Sequence, residues 1–253
     1  TSLFWRFNSM VSPAPQRLAK WIAQSGYCSR RAAERLITEG VVSINGVVAR
    51  HTDGVSTLDQ VSVHGQPLPA QPAMQYFLYH KPVGVDCNNR PDDPASLYQV
   101  LRLLPQRLFA VGRLDKDSSG LLLLTNDGAL SQRLMHPAFY HEKGYQVDTD
   151  KNITADFIAN MAAGVSWQLG ETLYQSRPCQ ITQTGNQQFY IVLTQGLHRQ
   201  IRYMCKTLGY RVTALKRDRL HNLQLAQLPE GQMRPLSRAE LHQLQLLSAL
   251  PQP

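Results

Sequence analysis

The chain has 253 residues, 43% of them hydrophobic, enough for one large core or one core plus a small module. Lys and Arg number 26 against 18 Asp and Glu, and this formal charge of +8 suits a polyanionic partner such as nucleic acid. No stretch approaches the ~20 apolar residues of a membrane span. Cys28, Cys87, Cys179 and Cys205 form no C-x-x-C pair, and the histidines show no H-x-x-x-H spacing, so no disulfide framework and no metal are expected. Glycine-rich phosphate loops are also missing, so no nucleotide cofactor is implied.

In chain order, residues 1–15 read as a flexible leader, too short and aromatic at Thr1–Phe7 for a signal peptide and closed by Ser12-Pro13-Ala14-Pro15. Gln16–Gln24 carries Leu18, Trp21 and Ile22 at helical spacing. Ser29 suits the N-cap of a second helix over Arg30–Thr38. Val41–Ile44 and Val47–Ala49 flank Asn45-Gly46, the signature of a two-residue hairpin, and Val61–Val63 adds a strand. Residues 16–66 thus form a small helix–helix–hairpin domain, followed by a Pro-rich linker over 67–73.

A larger domain is expected over 74–245, with a short tail over 246–253. Tyr76–Tyr79 reads as its first strand and Ser96–Leu104 as an amphipathic helix. Leu108–Val111 ends at Gly112, four charges follow within five residues, and Leu121–Leu124 reads as a strand buried on both faces. Asp115 sits in this charged loop, where buried strands tend to carry catalytic groups, although a plain solvated turn has the same spacing. Helices are expected over Ala129–Met135 and Ile153–Ala163, and strands over Ser176–Gln183 and Gln188–Thr194. Gly196–Ile201 then turns into a helix whose first amides would face an anion. From Gly196 to Arg219 there are seven basic residues and one acid, a density that points to nucleic acid.

The string Gly112-Arg113-Leu114-Asp115-Lys116-Asp117-Ser118-Ser119-Gly120, running on to Asn126-Asp127-Gly128, resembles the signature loop of pseudouridine synthases, in the form seen in the RsuA/RluB/RluE/RluF family. His80-Lys81-Pro82-Val83-Gly84, Glu142-Lys143-Gly144-Tyr145-Gln146-Val147, Arg199-Gln200-Ile201-Arg202 and Leu215-Lys216-Arg217 resemble its other segments. The residues from Arg217 to Asn222 lean toward the RluF branch. Arg17-Leu18-Ala19-Lys20, Cys28–Ala32 and Val42–Gly46 resemble the S4 RNA-binding fold. The chain departs from the family at Asp86-Cys87-Asn88-Asn89, where a Ser/Thr stretch is usual. It departs again at Gly144, where relatives carry a larger polar residue, and at Tyr203, which replaces a second Arg.

The resemblance implies an α+β protein: an S4-type RNA-binding domain joined to a catalytic domain with a mixed, mainly antiparallel sheet flanked by helices. It implies Asp115 as the catalytic aspartate, Tyr145 stacking on the target base, Arg202 pairing with Asp115, and Leu215 packing beneath the site. Arg17, Lys20, Arg30, Arg31 and Arg35 would contact RNA phosphates in the S4 domain, and Lys81, Arg113, Lys116, Arg199, Lys216 and Arg217 in the larger one. The implied reaction is isomerisation of a uridine to pseudouridine without a cofactor. Its RNA is 23S ribosomal RNA, with a tyrosine transfer RNA anticodon as a second target, and the protein is a cytoplasmic monomer. Asp115 would add to C1′ or take the C2′ proton; the sequence leaves both open. The alternative is a non-catalytic RNA-binding assembly factor. A glycosidase ranks low, because most use two carboxylates at a set separation and Asp117 stands only two residues away.

Overall fold

The computed structural model describes residues 14–136 and 141–249, with side chains to residue 246. The expected leader lies outside the described residues up to residue 13, and the expected tail from residue 250. The chain divides into two compact units between Ala73 and Met74.

The first unit begins with β1 (Gln16–Arg17), α1 (Leu18–Gln24) and α2 (Arg30–Thr38), continues through β2 (Val42–Ile44), β3 (Val47–Val48), β4 (Gly54–Val55) and β5 (Val61–Val63), and ends with β6 (Gln66–Pro67). The Ser29 hydroxyl accepts from the Ala32 amide at 3.2 Å, the N-cap bond that starts α2. Asn45 and Gly46 both have positive φ, at 51° and 83°, as a type I′ hairpin turn requires. Leu18, Ile22, Ala33 and Ile37 from the helices pack on Val42, Val61 and Val63 from the sheet, one small core. The first helix starts two residues later than its periodicity predicts, because Gln16 and Arg17 pair with Val55 and Gly54 as a strand instead. Pro67 belongs to β6, and Leu68 donates its amide to Val61 at 2.9 Å. The extended Pro-rich stretch therefore starts only after Leu68.

In the second unit the first half comprises β7 (Tyr76–Lys81), α3 (Tyr98–Leu101), β8 (Phe109–Val111), β9 (Ser119–Thr125), α4 (Gly128–Met135) and β10 (Lys143–Thr149). Next come α5 (Ala155–Ala163), β11 (Ser166–Leu169), β12 (Thr172–Gln175), β13 (Gln180–Gly185) and β14 (Gln188–Leu193). The last part holds α6 (Gln200–Thr207), β15 (Val212–Leu220), β16 (Leu223–Gln224), β17 (Met233–Pro235) and α7 (Arg238–Ala249), which extends past residue 245. The main sheet runs β13-β14-β10-β15-β9-β7-β17, with β8 on β9 and β16 on β15. All its pairings are antiparallel except β15 with β9. A mixed, mainly antiparallel sheet with helices is thus the fold, as the resemblance implied.

β9 is buried from end to end, and its alternation feeds two cores. Leu121 and Leu123 pack with Leu130, Leu134 and Leu220. Leu122 and Leu124 pack with Tyr79, Leu97 and Leu108. Each fully buried leucine contributes roughly 2 kcal/mol of apolar transfer, so this strand anchors the loop before it. A third core joins Phe157 and Met161 of α5 and Ile201 and Met204 of α6 to Val147, Phe189 and Leu215 of the sheet.

Gly120 makes the parallel joint possible. It pairs with Arg217 at φ 119°, and a Cβ there would run into the Arg217 backbone. Gly144 has a different reason: a Cβ would strike the Tyr190 hydroxyl and press on Arg219. The Tyr190 hydroxyl uses that space to reach Asp218 at 2.9 Å.

Three features of this unit differ from the sequence reading. The helix expected over Ser96–Leu104 is only the turn α3, because Ser96 is buried and its hydroxyl serves loop partners, accepting from Arg90 and donating to Asn88 at 3.0 Å each. The hairpin β11–β12 was not foreseen, and the strand expected from Ser176 begins at Gln180. Ser176 is instead a buried bracket whose hydroxyl accepts from the Val165 amide at 2.8 Å.

Candidate active site

The loop 112–118 leaves β8, carries Asp115 and enters β9. Gly84 donates to the Lys116 carbonyl at 2.8 Å, and Ser118 donates its amide to the Asp115 carbonyl at 3.0 Å. The loop is thus fixed from both sides. Beside it opens a cavity of about 720 Å³, within the range of ligand pockets. Asp115, Tyr145, Arg199, Leu215 and Arg217 all line it, with Lys143 and His141.

Asp115 has a 26% exposed side chain, and its nearest cation is the Arg199 Nη1 at 3.8 Å. This corrects the expected Asp115–Arg202 pair. Arg202 instead holds the next acid, with Nη2 3.3 Å from Asp117 Oδ2, 2.9 Å from the Asp117 carbonyl and 3.2 Å from the Ser118 hydroxyl. Arg199 adds a two-pronged bond to the same carboxylate, 2.9 Å on each side. These guanidiniums, Arg199 first, hold the Asp117 carboxyl below its ordinary range. Two arginines of α6 therefore clamp the loop through Asp117 and leave Asp115 facing the cavity. Asp117 stays ionised at neutral pH, so it cannot be the proton-donating partner that a two-carboxylate glycosidase needs.

Arg199 occupies the N-cap of α6 in the left-handed region, φ 51° and ψ 30°, with no side-chain cap. That conformation costs a non-glycine residue about 1 kcal/mol, which the double ion pair to Asp117 offsets. Strain at one residue thus aims the guanidinium between both acids.

The remaining expected RNA contacts divide sharply. Arg113 and Lys116 are exposed on the loop, and Arg17, Lys20, Arg30, Arg31 and Arg35 are exposed in the first unit. Lys216 is half-buried and does not line the cavity. Lys81 and Arg217 contradict the reading as surface contacts. Lys81 is 0% exposed, at the inner end of β7 opposite Gly120, and its Nζ donates to the Pro82 and Val85 carbonyls at 2.8 and 2.7 Å. It ties down the turn whose Gly84 holds the catalytic loop. Arg217 is 3% exposed, because β15 has strands on both sides at that point. Its Nε donates to the Leu121 carbonyl at 2.9 Å. Burial in the sheet centre keeps both from meeting a phosphate at the surface.

Lys143 was not anticipated, although it stands in the string that marked Tyr145. It lines the cavity, and burial, then the nearby Arg217 charge, lowers its amine to about 8. The cavity wall therefore holds two desolvated cations, Lys143 and Arg217, neither of which has a carboxylate partner among the described residues. His141 also lines the cavity, its ring 4.7 Å from that of His221. Among the described residues no three His, Cys, Asp or Glu side chains gather as a metal site, and no helix is long and apolar enough to cross a membrane.

A carboxylate at the mouth of a cavity, an aromatic ring on its wall and cations around it define an enzyme site for a flat, polar, anionic-chain substrate. Residues 75–207 match the RNA pseudouridylate synthase family, and residues 16–52 match the S4 domain. The chain belongs to the RNA pseudouridylate synthase family, a family of isomerases. It is 40% identical to the dual-specificity RNA pseudouridine synthase RluF of Salmonella typhi over 92% of this chain and 79% of that protein. It is 35% identical to the ribosomal large subunit pseudouridine synthase B of Bacillus subtilis, over 92% of this chain and 97% of that one. A solved pseudouridylate synthase, 30% identical, superposes with a TM-score of 0.66 over 90% of this chain and 99% of that one.

Proposed function

We propose that this protein isomerises one uridine of 23S ribosomal RNA to pseudouridine, with the anticodon of a tyrosine transfer RNA as a second substrate. The RNA choice follows the similarity to RluF, whose name states dual specificity. The observation that carries the chemistry is that Asp115, Tyr145 and Leu215 share one cavity.

In this reading the uridine leaves its stack and lies against Tyr145, whose ring replaces lost base stacking. Asp115 acts at the ribose, adding to C1′ or removing the C2′ proton, and the C1′–N1 bond breaks. The uracil stays in the cavity, turns and bonds to C1′ through C5. In the first route this displaces the Asp115 carboxylate from C1′, and in the second the proton returns from Asp115 to C2′. The C5 proton then leaves to a base, and N1 ends protonated. Arg199, 3.8 Å away, holds the Asp115 carboxylate in place at the cavity. No cofactor enters this sequence. The exposed basic residues of α1 and α2, with Arg113 and Lys116, neutralise phosphates of the bound RNA. The protein works as a monomer in the cytoplasm.

The test is to incubate unmodified 23S ribosomal RNA with the wild type and with Asp115→Ala, then locate pseudouridine by chemical adduct and primer stop. A stop produced only by the wild type is expected, and it names the uridine. RNA bound tightly by both proteins with no stop from either would instead make this a non-catalytic assembly factor.

A further inference from the structure

A second cavity, of about 610 Å³, adjoins the first and shares Cys87, Gly112 and Arg113 with it. We propose that it binds the nucleotide next to the target uridine on the same RNA strand, so that the two adjoining cavities hold neighbouring nucleotides. This rests on the isomerase reading above.

The chemistry of its walls selects such a ligand. Arg102, Arg107 and Arg113 line it, and no Asp or Glu does. Arg102 and Arg113 are exposed and Arg107 is partly buried. None of the three is in an ion pair among the described residues. Arginines left without acids at the rim of a cleft are suited to phosphate, which they grip in two-pronged fashion. The interior is different in kind. Tyr98 and Phe109 offer aromatic faces, and Gln106 has a buried Oε1 with no hydrogen-bond partner. A buried acceptor without a partner costs on the order of 1–3 kcal/mol until a donor arrives. A nucleobase brings a flat face for the aromatic rings and an N–H for that oxygen. An apolar protein segment or an uncharged lipid would use the apolar interior but would leave three cations unanswered, and an acidic peptide would answer them without a flat face for the rings.

The test uses the full chain and a 23S ribosomal RNA transcript carrying tritium at uridine C5, whose release reports the isomerisation. In the double variant Arg102→Ala/Arg107→Ala the KM is expected to rise about tenfold, with the log–log salt slope of KM falling by about 1.4, the loss of two single-strand phosphate contacts. In parallel, photoreactive benzoylphenylalanine replaces Arg102, and its crosslink is mapped by primer extension. A crosslink at the nucleotide adjoining the isomerised uridine is expected. Unchanged KM and slope, or a crosslink to a distant part of the transcript, would overturn the proposal while leaving the isomerase reading intact. No tritium release by the wild type would instead sink the isomerase reading, and the subsite with it.

Discussion

Arg30, Arg31 and Arg35 on α2 and Lys81, Lys143 and Arg217 in the second unit are like side chains in opposite circumstances. The first group projects from one helix face into water, and its contact closest to a salt bridge is Arg30 with Glu34 at 3.8 Å. Such cations cost the fold little and are free for phosphate. The second group has been drawn out of solvent around the cavity. Lys81 and Arg217 answer to backbone carbonyls. Burial lowers the amines of Lys81 and Lys143, because a charge without water is disfavoured. One set of cations stands free in solvent, and the other is built into the protein around the cavity. Net charge counts them alike, and all of them add to the field that attracts RNA from a distance, but the exposed ones alone stand free to meet a phosphate at the surface.

Arg217 offers the strongest way to break that distinction. Arg217→Ala leaves the Leu121 carbonyl unanswered and a void in the sheet centre, and a loss of about 3 kcal/mol is expected in a denaturant melt. Arg217→Met fills the space and removes a buried charge, so it is expected to recover most of that stability. Equal loss in both variants would mean that the cation itself holds the sheet.

Lys143 separates charge from packing by pH. Its folded value of about 8 lies below the ordinary 10.5. Below pH 8 the amine is protonated in both states, and the folded protein bears the full cost of burying it. As pH rises from 8 toward 10.5 only the unfolded chain keeps the proton, so this cost falls and the contribution to stability rises. Lys143→Met should melt higher than the wild type at pH 7, with the difference shrinking by pH 10. A constant difference between pH 7 and pH 10 would contradict the lowered value.

The smallest effect on the fold belongs to the exposed group. Arg30→Ala/Arg31→Ala/Arg35→Ala is expected to leave the melting temperature within about 2 °C, since surface pairs contribute little. It should flatten the salt dependence of RNA binding by about 2 to 3 in log–log slope. Equal slopes would return these arginines to an ordinary solvated face.

Local rules made much of this legible. Ser29 before an amphipathic run, Asn45-Gly46 between valines and four consecutive leucines each have one favoured structural answer, and each was read directly. The Asp115 loop was legible because its string is long and specific. What escaped depended on contacts far along the chain. Ser96 accepts from the Tyr98 amide at the start of α3, yet the same hydroxyl is also tied to the loop at Asn88 and Arg90. Leu169-Gly170-Glu171-Thr172 carries a glycine-led two-residue turn between short strands, a hairpin signal that lay in the sequence unread. The assignment of Arg199 rather than Arg202 to Asp115 turns on a left-handed φ that no spacing reveals. Lys81 and Arg217 looked like surface cations because strand position, and not residue type, decides burial.

The parallel joint of β9 with β15 also dictates when the site can come into being. Arg217 bonds to Leu121 across 96 residues of chain. β7, β8 and β9 can pair while the protein is still being made, but Ser119 and Gly120, the part of β9 that pairs with β15, lack that neighbour until Lys216 and Arg217 emerge. α6, which carries both clamping arginines, arrives almost as late. A nascent chain halted before residue 212 therefore holds Asp115, the proposed catalytic residue, beside an open stretch of sheet edge that is exposed to wrong partners. Competence is acquired only once β15 has joined β9 and α6 has reached the loop.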